Sequence, residues 1–186
     1  AVTAVTDVGV GVVELLRMLT GPADTVVISP PVYPPFFDWA SEAGAQLREV
    51  PLTAEHRLDL PALEAAFAAH PAVYVLCNPQ NPVGRVHTHD ELAALVRLAR
   101  LYAVTIVSDE IHAPLVLPGA RFTPLLAVPG AARVAVSVVS ASKAFNLAGL
   151  KCAAIVAADP AMAELVARFP RDVRWRTGHL GVLATV

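Results

Sequence analysis

Charged and aromatic side chains are scarce in this chain. Of 186 residues, 16% are charged and 6% aromatic, against 55% hydrophobic. That balance excludes a disordered segment, which combines low hydrophobicity with high net charge, and predicts one domain with a large core. A basic excess is missing as well: the formal net charge is -2, so nucleic acid is not expected as a partner. Nothing marks a membrane surface as a partner either. Long apolar runs are absent, because Pro, Gly, Asp or Arg interrupts each one before the roughly 20 residues that a membrane helix needs. No signal-peptide pattern is present. Cysteine is limited to Cys77 and Cys152, both inside apolar runs where a free thiol behaves as a small buried hydrophobe, so a reducing, cytoplasmic setting is expected.

The chain opens on AVTAVTDVG without an initiator Met and closes on the apolar GHLGVLATV, which reads as a helix cut midway. The expectation is a fragment of a longer protein. Between these ends there is no internal repeat, low-complexity tract or linker. Helical periodicity alternates with short β-branched runs, the pattern of an α/β domain with a mostly parallel, doubly covered sheet. Strands are predicted at Val26 to Ser29, Gln46 to Leu52, Ala72 to Cys77, Thr105 to Asp109, Val134 to Val139 and Ala153 to Ala157. Helices are predicted at Gly11 to Leu19, Pro35 to Ala43, Pro61 to Ala69, Asp90 to Tyr102 and Ala161 to Arg168. Thr88 with Glu91 forms a capping box, and Pro61 suits a helix's first position.

Ligands of such sheets bind at the carboxyl ends of strands, so the residues after each run carry the functional reading. After the TIVS run comes SDEIH. Asp109 there would be costly to leave charged and unpaired, and it wants a cationic partner. A protonated pyridine nitrogen is one such partner and makes its ring an electron sink; alternatively, Asp109 or Glu110 caps the next turn. SASKAFNLAGLK sets Lys143 among small residues, where a semi-buried amine would attack an aldehyde, or where it is a surface lysine. Ser140, Ser142 and Lys151 stand near enough in sequence to serve a phosphate by hydroxyl donation and charge. In NPQNPVG, two prolines and a glycine stiffen a loop that aims Asn81, or form an ordinary turn. Tyr33 in SPPVYPPFF offers a stacking face, or simple packing. Val8 and Gly9 lead into a helix whose free N–H groups suit a phosphate.

These pieces, in this order and spacing, resemble the fold-type I pyridoxal 5′-phosphate (PLP) enzymes of the aminotransferase class I and II family. Within it, they resemble the MalY/PatB-type cystathionine β-lyases. The resemblance runs from about Val8 to the last residue, carried by NPQNPVG, SDEIH and SASKAFNLAGLK together. It implies the aspartate aminotransferase-like large domain, three layers α/β/α around a mostly parallel mixed sheet, over residues 1–186. An amino-terminal arm and a carboxyl-terminal small domain, which holds the principal carboxylate-binding arginine, would lie outside the chain.

By that resemblance Lys143 matches the Schiff-base lysine, Asp109 the partner of the pyridine nitrogen, Asn81 the ring-oxygen donor and Tyr33 the stacking aromatic. Ser140, Ser142, Lys151 and the backbone of Val8 and Gly9 match phosphate contacts. His112 stands where many aminotransferases of the fold carry tyrosine, and it joins the expected cofactor contacts. Lys151 replaces an arginine found in many relatives, giving a point charge instead of a bidentate fork. The implied activity is cleavage of cystathionine or related cysteine S-conjugates to thiol, pyruvate and ammonia. An aminotransferase shares these motifs and is the alternative, followed by a ligand-responsive regulator or an inactive fragment. A homodimer and an amino-acid substrate are implied as partners. No metal is expected, since His87 and His89 flank a helix start without a third ligand nearby. RFPRDVRWR reads as a solvated turn.

Overall fold

A computed structural model describes residues 1–185. The strands are β1 (Val2–Val5), β2 (Thr25–Ile28), β3 (Gln46–Glu49), β4 (Val73–Cys77), β5 (Thr105–Asp109), β6 (Ala135–Val139) and β7 (Ala153–Val156). The helices are α1 (Val8–Leu19), α2 (Pro35–Ala43), α3 (Leu60–Phe67), α4 (His89–Tyr102), α5 (Pro160–Ala167), α6 (Arg171–Trp175) and α7 (His179–Thr185). One seven-stranded sheet runs in the order β1-β7-β6-β5-β4-β2-β3. β3, β2, β4, β5 and β6 are mutually parallel, whereas β7 pairs antiparallel with both β6 and β1. The expected mostly parallel, mixed sheet is therefore present.

The sequence builds this sheet because its central strands are apolar on both faces. Every residue of β4, VYVLC, is buried, as befits a strand covered by helices on either side. Side chains alternate between two cores. Val73, Val75 and Cys77 join Val12, Leu16 and Phe36 on the α1/α2 side. Tyr74 and Leu76 join Leu63, Phe67, Leu92 and Leu95 on the α3/α4 side. The helix starts follow capping chemistry. The Glu91 N–H donates to Thr88 Oγ1 at 3.2 Å and the Thr88 N–H to Glu91 Oε2 at 2.8 Å, closing the expected box. Asp59 caps α3 by accepting from Ala62 N at 3.0 Å, which moves the helix start to Leu60 and puts Pro61 second.

α1 starts at Val8, three residues before the expected Gly11, because Asp7 caps it there, and three further features differ from expectation. β1 was not foreseen, because only Val5 of its four residues is buried and an edge strand of that kind carries no apolar alternation. β3 ends at Glu49, short of the predicted Leu52; Pro51 has no N–H to extend a ladder. RFPRDVRWR is not a simple turn, since Arg171–Trp175 is helical and buries Val173. Among the described residues, no helix is long and apolar enough to cross a membrane.

Beyond the sheet's edge, one carboxylate oxygen fastens the long segment between β5 and β6. Glu110 Oε1 accepts from Ser108 Oγ at 3.0 Å, Ser137 Oγ at 3.0 Å and Leu125 N at 2.9 Å. Glu110 is buried, so truncation would strand these donors away from water. Glu110→Ala is expected to cost about 2–4 kcal/mol of stability, read from urea denaturation midpoints; an unchanged midpoint would rule this tie out.

Candidate active site

The carboxyl ends of the parallel strands open into a cavity of about 400 Å³. All the predicted site residues line it: Val8, Gly9, Tyr33, Asn81, Asp109, His112, Ser140, Ser142, Lys143 and Lys151. They come from separate segments that the doubly wound sheet brings to one edge. Asp7, which leads with Val8 and Gly9 into α1, shares the wall, as do Trp39, Cys77 and Cys152, which the sequence did not mark as site residues.

Asp109 closes β5 and is 5% exposed. Its Oδ1 accepts from Ile111 N at 3.1 Å. Burial pushes its carboxyl up to about 7; the Glu110 charge adds to the rise, while the Ile111 N–H and Lys143 oppose it. A carboxylate so placed gains most from a cation brought into the cavity. Cys77 lies opposite Asp109 in the β4–β5 register. Burial, reinforced by Asp109, pushes its thiol up to about 12, so it remains protonated. The Cys77 Sγ donates to Pro79 O at 3.3 Å and accepts from Asn81 N at 3.4 Å. Its part is to hold the backbone that carries Asn81, a use that apolar patterning cannot reveal. Burial and the nearby Lys143 hold the half-buried His112 imidazole below its usual range, so it is uncharged at neutral pH.

The opposite wall favours an anion. Asp7 caps α1, with Oδ1 accepting from Val10 N at 2.9 Å, and the first intrahelical hydrogen bond runs from Gly11 N to Asp7 O. The N–H groups of Val8 and Gly9 precede that bond and belong to the unpaired first turn. Lys151 Nζ lies 3.4 Å from Asp7 Oδ2, with side-chain exposures of 62% and 39%. Such an exposed pair is weak, which leaves the ammonium available to a stronger anion. A Cβ on Gly181 of α7 would collide with the Leu150 carbonyl, so α7 backs the Lys151 loop closely. Ser140 behaves differently from expectation. Its hydroxyl donates to Cys152 O at 2.7 Å while accepting from Ser142 N at 3.1 Å. A hydroxyl has one hydrogen, so Ser140 shapes the loop and leaves Ser142 as the hydroxyl donor. Lys143 is exposed where a semi-buried position was expected, because its segment crosses the sheet edge as turns.

An anion cradle at one end, a buried carboxylate at the other, an amine and the half-exposed Tyr33 form a donor set suited to a phosphorylated, cationic aromatic ring. His87 is buried and His89 exposed. No group of metal-ligating side chains occurs among the described residues.

The aminotransferase class I and II family model matches residues 1–180. A protein of Mycobacterium leprae carried under the provisional name cystathionine beta-lyase is 48% identical, over 97% of this chain and 46% of its own length. Cystathionine beta-lyase PatB of Bacillus subtilis is 38% identical, over 80% of this chain and 41% of its own length. The crystal structure of cystalysin from Treponema denticola, which contains pyridoxal 5′-phosphate, superposes with a TM-score of 0.90 at 28% identity, covering 99% of this chain and 48% of that one. The chain belongs to the aminotransferase class I and II family. It spans about half the length of the curated relatives it matches.

The raised Asp109 predicts a pH signature without cofactor. Its folded pKa lies above the unfolded value of 3.8. Its contribution to stability is therefore fully present below that value, falls as pH rises toward 7, and stays low above it. Wild type is expected to lose roughly 2–4 kcal/mol between about pH 4 and about pH 8 relative to Asp109→Asn. Parallel pH curves from urea denaturation would contradict the assignment.

Proposed function

We propose that the chain is the PLP-binding large domain of a carbon–sulfur β-lyase acting on cystathionine or related cysteine S-conjugates. The observation that carries this reading is the meeting of Lys143, Asp109, Asn81 and Lys151 at one cavity. The arm and small domain of such an enzyme, with its carboxylate-binding arginine, belong to sequence beyond this chain. A homodimer in the cytoplasm completes the proposal.

Bound PLP supplies an electron sink that acidifies the Cα proton of an attached amino acid. Asp109, buried and short of a cation, keeps the ring nitrogen protonated. Asn81 donates to the ring oxygen, beside the uncharged His112, and Tyr33 stacks on the ring face. Ser142, Lys151 and the N–H groups of Val8 and Gly9 hold the phosphate. Lys143 Nζ would anchor the cofactor as its Schiff-base lysine, and its free amine would serve as general base for the Cα proton. Its exposed position leaves room for both roles. The overall reaction these roles would serve is conversion of a cysteine S-conjugate and water to a thiol, pyruvate and ammonia.

The test uses the full-length protein. After incubation with PLP and borohydride reduction, a pyridoxyl group is expected on the Lys143 peptide and absent from Lys143→Ala, which loses activity by at least about a thousandfold. Cystathionine should then release pyruvate and thiol. Formation of a keto acid with the amine form of the cofactor would replace the lyase reading by an aminotransferase, and an unmodified Lys143 would overturn both.

A further inference from the structure

Gln80 sits inside NPQNPVG between Pro79 and the candidate cofactor contact Asn81, and only 2% of it is exposed. Its main chain is fully committed: N donates to Arg85 O at 2.7 Å and O accepts from Gly84 N at 2.8 Å. Its side chain reaches another segment. Gln80 Nε2 donates to Ser29 O at 3.0 Å and to Pro31 O at 2.8 Å, in the SPPVY stretch that continues to Tyr33. Prolines 30, 31 and 79 carry no N–H, so main-chain pairing is interrupted where β2 and β4 leave the sheet. The glutamine amide supplies the missing donors.

The amide's other end is also engaged. Gln80 Oε1 faces His87 Nε2 at 3.4 Å, and the main-chain N–H of His87 donates to Asn78 Oδ1 at 3.1 Å. His87 is fully buried, and burial holds its imidazole down to about 4. It is therefore uncharged and has one N–H; pointed at Oε1, that N–H fixes the amide with Nε2 toward the two carbonyls.

We infer that Gln80 is a positioning residue that sets Tyr33 and Asn81 in register across the cavity, with His87 as the lock on its amide. The inference rests on the proposed cofactor site, because its consequence is cofactor geometry. Two contacts on separate loops stay aligned only if the loops are tied, and misplacement of about an ångström is costly in such sites.

The test compares full-length holoproteins. Gln80→Glu keeps the shape but turns an acceptor toward two carbonyls; Gln80→Asn keeps the amide but withdraws it by one methylene, and it carries the test if Gln80→Glu does not fold. Tyr74→Phe is the control, since it removes the buried 3.0 Å hydrogen bond to Ser29 Oγ without touching the amide. The readouts are PLP affinity by equilibrium dialysis, the visible absorption of the bound cofactor, and melting temperature. Gln80 variants are expected to bind PLP about tenfold more weakly, equivalent to about 1.4 kcal/mol, with a displaced absorption maximum. Tyr74→Phe should lose stability while keeping affinity and spectrum. Gln80 variants with wild-type affinity and spectrum would reduce the residue to a structural part and leave the cofactor reading intact. A wild-type protein that binds no PLP would overturn both.

Discussion

Asp109 carries a carboxyl group at the end of a central strand, almost out of water, with a main-chain N–H and no cation within hydrogen-bonding reach among the described residues. Burial raises its pKa by disfavouring the charge. Such a group is an expense to the folded chain unless something positive enters beside it. Much of the surrounding architecture serves that entry. Parallel strands deliver Asp109, Asn81 and Lys143 to one edge, and the start of α1 with Lys151 gives the far wall the opposite preference. A ligand that is cationic at one end and anionic at the other meets both demands.

The loops around this carboxylate are secured less by main-chain ladders than by single polar side chains. Cys77 holds the Asn81 backbone, Glu110 the segment beyond β5, Ser140 the turn before Lys143, and Gln80 the stretch leading to Tyr33. Proline explains much of this: where a loop has lost N–H groups, a side chain replaces them. The Glu110 tie is buried and the other three are part-buried, so competition from water is reduced and breaking any of them is costly.

The fold was legible wherever burial was two-sided. The apolar runs of β4, β5 and β6 and the capping box at Thr88 declare themselves, because covered strands and helix starts restrict residue type. β1 and α6 did not, since each fully buries only one residue. The lining of the site was legible for a related reason. Asp109, Lys143 and Asn81 each lie at or after the end of an apolar run, and in a parallel sheet those ends share one edge. The supporting roles were hidden. Cys77 looks like any buried apolar residue and Gln80 like a polar loop residue, and their partners lie on the far side of turns that no periodicity describes. Ser140 was given a hydroxyl to donate outward that its fold directs inward.

Under the proposed function, the buried Asp109 holds a proton on the ring nitrogen of a bound pyridine. The most direct measurement is the nitrogen-15 chemical shift of isotopically labelled PLP in the full-length protein, compared with Asp109→Asn. The ring nitrogen should remain protonated at and above neutral pH in wild type and lose that proton in the variant. A neutral ring nitrogen in wild type, or a shift indifferent to the substitution, would remove this role from Asp109.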